Sequence, residues 1–240
     1  MTEAPIKRES VSDQLFTVLR DRVLSGHLPA DSALTAERDL AAEFGVNRHA
    51  VREAVKRLQQ ARLVEVSQGG RTRVLDWRTN AGLDLVFDVA RGNAVFTEFQ
   101  RDAMEMRACI GADAARLCAD RRSPQTAEAI VGAAEAYDGI GADLAALDEA
   151  DVALWRLIVA GSGNLAYLLS FNTLVGGAVA SGEVPLVHRT AELLDVAIRR
   201  RLAELIAARD AQAAEQVARE MLTRTVTAMT RASTEQEARS

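Results

Sequence analysis

Gly45 to Leu58, GVNRHAVREAVKRL, limits what this chain can fold into more than any other stretch, because it reads as an amphipathic helix with cations on its outer side. Asn47 is a good N-cap: its side-chain oxygen can accept from the open backbone N–H groups of the following turn, so the helix starts at Arg48. Val51, Ala54, Val55 and Leu58 recur at i, i+3, i+4 and i+7, which is one buried stripe. Arg48, His49, Arg52 and Lys56 lie off that stripe. Arg48, Arg52 and Lys56, four apart, stack along one side. Such a helix packs by its inner face and offers its cationic N-terminal end to base edges and phosphates. The plainer alternative is a surface helix whose charges are merely solvated.

The surroundings favour the first reading. Between Gly45 and Val74 seven basic residues (Arg48, Arg52, Lys56, Arg57, Arg62, Arg71, Arg73) face two acids, Glu53 and Glu65, a net of +5. Residues 1–78 carry 13 basic and 11 acidic side chains, a net of +2, and the remainder 16 and 23, a net of −7. The formal charge of −5 for the whole chain thus conceals a local cation density suited to phosphate contact and counterion release.

At 240 residues and 48% apolar content the chain can bury one large core or two modest ones. Ala, Leu, Val and Arg dominate and aromatics are 4%, which points to a helical protein. The N-terminus lacks a signal-type apolar core and no stretch reaches about 18 uninterrupted apolar residues, so a cytoplasmic protein without a membrane span is expected. Cys109 and Cys118, inside apolar helical sequence, are read as small buried residues in a reducing compartment rather than a disulfide or metal pair.

In chain order, Ser10 can cap a helix to Ser25, with Val11, Leu15, Val18, Leu19 and Val23 near one face and Gly26 as its stop. Leu28 to Leu34 is a turn containing Pro29. Thr35 caps a second helix through Phe44, with Glu37 in its electropositive first turn and Arg38 reaching outward. Gly45 turns the chain into the cationic helix, which makes a helix-turn-helix. Leu63 to Val66 and Thr72 to Val74 then flank Gly69 and Gly70 as a β-hairpin with Arg71 and Arg73 near its tip. A hairpin directly after a helix-turn-helix is a wing. Beyond the join at 75–82 only helical signals remain, at about 80–91, 94–120, 124–138, 142–161, 164–180, 184–209 and 210–231. Pro124 and Pro185 mark helix starts, and Gly92, Gly139 to Gly141, Gly161 to Gly163 and Gly182 mark ends.

Gly26, Leu28, Pro29, Ala36-Glu37-Arg38-Asp39-Leu40-Ala41, Gly45-Val46, Arg48, Val51-Arg52-Glu53-Ala54, Arg57-Leu58, Leu63-Val64 and the glycine-turned wing form a long ordered pattern. On it, residues 11–75 resemble the winged-helix domain of the GntR superfamily of bacterial transcription regulators. The resemblance implies DNA contacts by Arg38, by Arg48 and Arg52 on the recognition helix, and at the wing tip by Gly69 beside Gly70. Asn47 and His49, where relatives often carry serine or threonine, can still donate to a phosphate or base edge, whereas Ala50 cannot. It further implies a homodimer on duplex DNA carrying a short inverted repeat of the T-x-G-T/A-C-x-A kind, since two copies impose a palindrome.

The second half resembles the effector domain of the FadR subfamily at Asp151-Val152-Ala153-Leu154-Trp155-Arg156, Ala160-Gly161-Ser162-Gly163-Asn164 and Ala207-Ala208-Arg209-Asp210, and the stretch Asp76 to Leu83 is similar to that subfamily's linker. Many such relatives hold a divalent metal through one aspartate and three histidines, and the metal helps bind a carboxylate effector. Here Asp151 matches the aspartate, but Trp155 stands at one histidine position, and an ungapped placement puts the others near Arg199 and Met221. No metal or other cofactor is therefore expected. His188, the only histidine of this half, is read as a surface or packing residue. Arg199 either pairs a ligand carboxylate or phosphate in place of the metal or forms a salt bridge with Asp151. The residues expected around an effector are Arg107, Asp151, Trp155, Arg199 and Met221, with Leu168 and Phe171 as apolar lining or plain core. The effector is left open between an acyl-CoA or fatty acid and another small carboxylate.

The expected architecture is mainly α: a winged helix-turn-helix DNA-binding domain over 1–75, of three helices and a short β-hairpin, a linker over 76–82, an all-helical effector-binding and dimerisation bundle over 83–232, and a disordered tail over 233–240. A ligand-responsive regulator is the reading adopted. An architectural DNA protein without effector is the alternative. A helical enzyme is a lesser one, since the sequence has no phosphate loop, nucleophile elbow, His-Glu-x-x-His or convincing carboxylate pair. The chain is also too short for the aminotransferase-like extension of some GntR relatives, which excludes a PLP enzyme.

Overall fold

The computed structural model describes residues 10–66, 71–85, 89, 97–181 and 186–237. The chain divides into two compact units, Met1–Leu85 and Val86–Ser240.

In the first unit, α1 (Val11–Leu24) starts at a capping box. The Ser10 hydroxyl accepts from the Asp13 N–H at 3.1 Å, and the Asp13 carboxylate accepts from the Ser10 N–H at 3.2 Å. Leu15, Leu19 and Val23 are buried as expected, but Val11 and Val18 are exposed. The buried stripe runs instead through Phe16 and Leu24, since Phe16 removes more apolar area from water than either valine. Gly26, at φ 80°, turns the chain away from the helix end. The second helix, α2 (Glu37–Glu43), begins later than expected: its N-cap is Ala36, which makes no side-chain cap bond, and Thr35 has no capping role. Glu37 and Asp39 place negative charge in its first turn instead. Gly45 (φ 63°) makes the turn into α3 (Arg48–Gln60), where the Asn47 side-chain oxygen accepts from the Ala50 N–H at 2.8 Å.

Antiparallel strands β1 (Val64–Val66) and β2 (Thr72–Val74) pair in the register Val64↔Val74, Glu65↔Arg73, Val66↔Thr72. The segment 31–34, expected as a turn, runs along the other edge of β2. Asp31 N–H donates to the Val74 carbonyl, Val74 N–H to Ser32 and Leu34 N–H to Thr72, at 2.8 to 2.9 Å. These bonds satisfy an edge that a two-stranded hairpin leaves open. Leu19, Leu40, Val51, Ala54, Leu58, Leu63 and Val74 are almost fully buried and form the small core onto which α1, α2 and α3 pack. A short helix, α4 (Trp77–Asn80), capped by Asp76, lies in the stretch read as a linker.

The second unit is helical throughout its described residues: α5 (Thr97–Arg121), α6 (Pro124–Asp138), α7 (Leu144–Gly161), α8 (Leu165–Ser181), α9 (Leu186–Leu193), α10 (Val196–Ala207) and α11 (Ala211–Glu237). The single helix expected over 184–209 is two, because the Asp195 carboxylate accepts from the Ile198 N–H at 3.0 Å and starts α10 afresh. α11 runs to Glu237, into the stretch expected as a disordered tail. The expected helix at 80–91, Pro185, Gly92 and Gly182 lie wholly or partly outside the described residues.

α5 and α11 pack along their length, and α6, α7 and α10 close around them. Ala112, Ala114, Ala115, Ala119, Ala214 and Ala218 are fully or almost fully buried, and these small side chains let the helix backbones approach closely. Cys118 is buried there, with its thiol pushed up to about 11 by desolvation, whereas Cys109 is exposed, contrary to expectation. Among the described residues no helix is long and apolar enough to cross a membrane.

One end of this unit is closed by two arginines. Arg122 donates to the carbonyls of Ile206, at 3.0 Å, and Ala207 at the end of α10. Arg209 donates to the carbonyls of Asp120 (2.6 Å) and Arg122 (3.1 Å) at the end of α5. Each guanidinium thus satisfies the other helix's orphan carbonyls and places a cation at a negative helix end.

Candidate nucleic-acid interface and ligand cavity

In the first unit α3 buries Ala50, Val51, Ala54, Val55 and Leu58 and leaves Asn47, Arg48, His49, Arg52 and Lys56 exposed. With Asn47 closing one N–H, the rest of the helix start presents backbone donors and positive potential to an anion, with Arg48 and Arg52 beside it. Arg52 Nε lies 3.6 Å from Glu37 Oε2. Arg38 is 75% exposed and, among the described residues, bonds only its neighbour Asp39, at 3.0 Å. Both arginines stand on solvent-exposed pairs that a phosphate or guanine can replace at small loss.

Other cations in the +5 stretch are committed to the fold. Arg57 donates to Asp13 at 2.5 Å and stacks on Phe16, 4.0 Å from the ring centre, so it joins α3 to α1. Arg73 braces the hairpin, donating to Glu65 at 2.7 and 3.2 Å and to Asp31, and these acids raise its pKa further. Counting charges from sequence missed this division, because Asp13 and Asp31 lie some forty residues from their arginines and a count does not pair Glu65 with Arg73 across the hairpin. Gly69 and Gly70 lie outside the described residues.

The second unit has a partly open cavity of about 370 Å³, at the small end of the range that holds small organic ligands. Its wall is mostly apolar, with Ile110, Val159, Phe171, Leu174 and Leu222 among its residues, and polar at one side, where Arg107, Asp148, Glu149, Asp151 and Arg189 lie. Gly111 also lines it, and a Cβ there would stand 2.4 Å from Leu222 Cδ1 and 3.4 Å from the Trp155 ring. Of the residues expected around an effector, Arg107, Asp151 and Trp155 line the cavity. Met221 and Leu168 belong to the helical core beside it, and Arg199 stands behind Asp151.

The polar side is a buried ion-pair network. Arg199 donates from Nε (3.0 Å) and Nη2 (2.8 Å) to Asp151 Oδ1, and from Nη1 to the backbone oxygens of Glu192 (2.5 Å) and Asp195 (3.1 Å). Its guanidinium stacks 4.4 Å from the centre of the Tyr137 ring, whose hydroxyl donates to the Leu193 carbonyl at 2.6 Å. The salt-bridge alternative for Arg199 is the one observed. Asp151 Oδ2 accepts from Arg189 at 2.6 Å and lies 3.5 Å from Arg107. Arg189 also reaches Asp148, and Glu192 takes two bonds from Arg107, at 2.5 and 3.0 Å, and one from the Thr225 hydroxyl at 2.5 Å. Burial alone would push the Glu192 carboxyl up, but the charges and hydrogen bonds of Arg107 and Arg189 outweigh it and hold it at about 2. Sequence reasoning missed Asp148, Arg189 and Glu192. The available signal was an Asp pair at i, i+3 and an Arg-Glu pair at i, i+3, each placing two charges on one face of a helix.

These residues do not fit a divalent cation. Both Asp151 oxygens are taken by guanidinium groups, whose positive charge repels a second cation, and Trp155 offers a donor where a ligand atom is needed. Among the described residues no group of three His, Cys, Asp or Glu side chains could hold a metal.

Two regions of the chain match known families. Residues 11–74 match the bacterial regulatory proteins of the gntR family, and residues 102–224 match the FCD domain. The chain is 34% identical over 227 residues, 92% of each chain, to the HTH-type transcriptional regulator Mce2R of Mycobacterium tuberculosis. It is 28% identical over 205 residues, 85% of this chain and 84% of the other, to the fatty acid metabolism regulator protein of Edwardsiella ictaluri. Among solved structures, it is similar in fold to that described as "Lar controls the expression of the Listeria monocytogenes agr system and mediates virulence", with a TM-score of 0.57 and 16% identity, covering 94% of this chain and 99% of the other.

Proposed function

Because this chain belongs to the gntR family of bacterial regulatory proteins and carries an FCD domain, and is therefore a transcriptional regulator with a helix-turn-helix, we propose that it binds a short palindromic operator as a homodimer and that a small molecule in the cavity of the second unit sets its affinity. The observation that carries this reading is the cavity of about 370 Å³ inside an otherwise closely packed helical unit. An architectural DNA protein has no use for such a space, and its apolar wall, left to water, forfeits burial that a ligand restores.

On the DNA side Arg38, Arg48 and Arg52, with Asn47 and His49 at the helix start, make the base and phosphate contacts, and the wing at Gly69 and Gly70 adds its own. A bidentate arginine on guanine discriminates by about 1 to 3 kcal/mol, so Arg48 and Arg52 on α3 read little sequence alone and the second copy supplies the rest. On the ligand side, relation to a protein named for fatty acid metabolism supports a molecule with an apolar body, such as a fatty acid or its thioester. The effector works by linkage: it changes operator affinity only as far as it prefers one dimer geometry. The protein works in the cytoplasm beside the chromosome and catalyses no reaction.

The test is sedimentation of the purified protein with and without duplexes carrying inverted repeats, at low ionic strength, followed by mass spectrometry of small molecules that co-purify. A dimer that shifts such duplexes, and whose shift responds to a co-purified compound, is the expected result. A monomer indifferent to every inverted repeat defeats the reading.

A further inference from the structure

α8 is uncharged from end to end. None of its 17 residues, Leu165–Ser181, is acidic or basic, in a chain of which 26% is charged. It packs on α7 and α5 by the side that carries Leu168, Phe171 and Leu174. On the other side Leu165 is 67% and Leu169 56% exposed, one turn apart, with Ala166, Asn172 and Thr173 exposed beside them. A surface helix ordinarily turns charged and polar residues to water. One that turns two adjacent leucines outward instead marks a contact surface.

What covers it follows from charge. Residues 79–240 carry 16 basic and 23 acidic side chains, a net of −7, so two copies of this half repel where their charged surfaces approach. α8 is the stretch at which they can meet without taking an ion out of water. At its edge Arg156 donates to Asn172 Oδ1 at 3.1 Å and stacks on the Phe171 ring, 5.5 Å from its centre, and among the described residues no carboxylate pairs with it. A second copy, with its surplus of acids, supplies that pairing at the rim, and its own α8 supplies the apolar centre. A protein that recognises its partner by charge finds nothing to pair with along the helix.

Resting on the reading of the protein as a homodimer, we propose that the exposed face of α8 is a dimer interface, in which the helix lies antiparallel against its copy across a two-fold axis with Leu165 of one copy opposite Leu169 of the other. In a closed pair of this kind each residue is used twice, so four leucines leave water together.

The test is sedimentation velocity of the full chain over a range of concentrations. The parent is compared with Leu165→Glu plus Leu169→Glu, with Leu165→Ala plus Leu169→Ala, and with Val11→Glu plus Val18→Glu, the exposed valines of α1 being the rival apolar face. The α8 positions are exposed, so these variants are expected to melt as the parent does. The glutamate pair on α8 is expected to raise the dimer dissociation constant about 100-fold or more, since it brings four like charges together, and the alanine pair about tenfold or more. The glutamate pair on α1 is expected to weaken the dimer less than its counterpart on α8. An α8 glutamate pair that dimerises as tightly as the parent overturns the proposal, and so does an α1 pair that weakens the dimer as much or more. Should the glutamate pair on α8 fail to fold, an alanine pair that dimerises as tightly as the parent overturns it equally. A parent that stays monomeric with and without inverted-repeat duplexes is a different failure, which overturns the homodimer itself.

Discussion

Arg199 meets Asp151 through two donors on one oxygen, Nε at 3.0 Å and Nη2 at 2.8 Å from Oδ1, and neither side chain reaches solvent. The pair pins α10 to α7 from inside the bundle. Removing one partner leaves a buried charge uncompensated, so Asp151→Asn is predicted to lower stability by about 3 to 5 kcal/mol. The double variant Asp151→Leu with Arg199→Met should recover the part owed to Arg199 and leave the loss of the Arg189 bond to Asp151. Urea unfolding of the three proteins checks this, and a single-variant loss under about 1 kcal/mol would show that the pair is solvated.

Acid should weaken the same network. The Glu192 carboxyl is held at about 2, below its ordinary value of 4.5. A depressed acid contributes stability that is fully present above the unfolded value and is lost as the pH falls through the folded one. Melting temperature is therefore expected to drop between about pH 4.5 and pH 2, and Glu192→Gln should flatten the drop in that window. An unchanged slope in the variant contradicts the assignment.

The two classes of arginine on α3 should separate in experiment. Arg52→Ala is predicted to reduce affinity for the operator by about 10- to 100-fold and to relax discrimination at one base of each half-site, with unchanged melting. Arg57→Ala is predicted to leave DNA affinity almost intact and lower stability by about 1 kcal/mol, because it loses Asp13 and the Phe16 ring. Equal loss on operator and random DNA for Arg52→Ala would make Arg52 a phosphate contact only.

What could be read from the sequence here, and what could not, follows the distance over which each interaction acts. The Asn47 cap, the Val51-Ala54-Val55-Leu58 stripe and the Ser10 cap are relations within one or two turns, and they stand where periodicity puts them. The pairing of segment 31–34 with β2 joins residues some forty apart, and the partners of Arg57, Arg73 and Arg199 are equally remote. Local pattern carries no record of them. The cavity was only half legible: Arg107, Asp151 and Trp155 line it, but Arg189 and Glu192 lie on a helix that merged, in sequence, with the one after it.

Gly111→Ala should close the cavity from the side of α5. The added methyl meets Leu222 Cδ1 and the Trp155 ring, and the end of Leu222, which lines the cavity, yields by turning into that space. Overpacking of this kind is predicted to lower stability by about 1 to 3 kcal/mol and to abolish ligand binding while operator binding persists. Calorimetry with a ligand that binds the parent protein, alongside a mobility shift, checks both halves.

Thiol labelling should resolve the two cysteines. Cys109 is exposed and is expected to react in the native protein, whereas Cys118 is buried with its thiol raised to about 11 and is expected to react only on unfolding. Two fast equivalents in native buffer would contradict the packing of α5.

The exchange of arginines between Arg122 and Arg209 has a dynamic consequence. Each helix end is held by a side chain rooted next to the other, so neither terminus can fray while its counterpart stays closed. Amide hydrogens near residues 118–122 and 204–208 should then exchange with solvent at a common rate, and Arg209→Ala should accelerate both sets together.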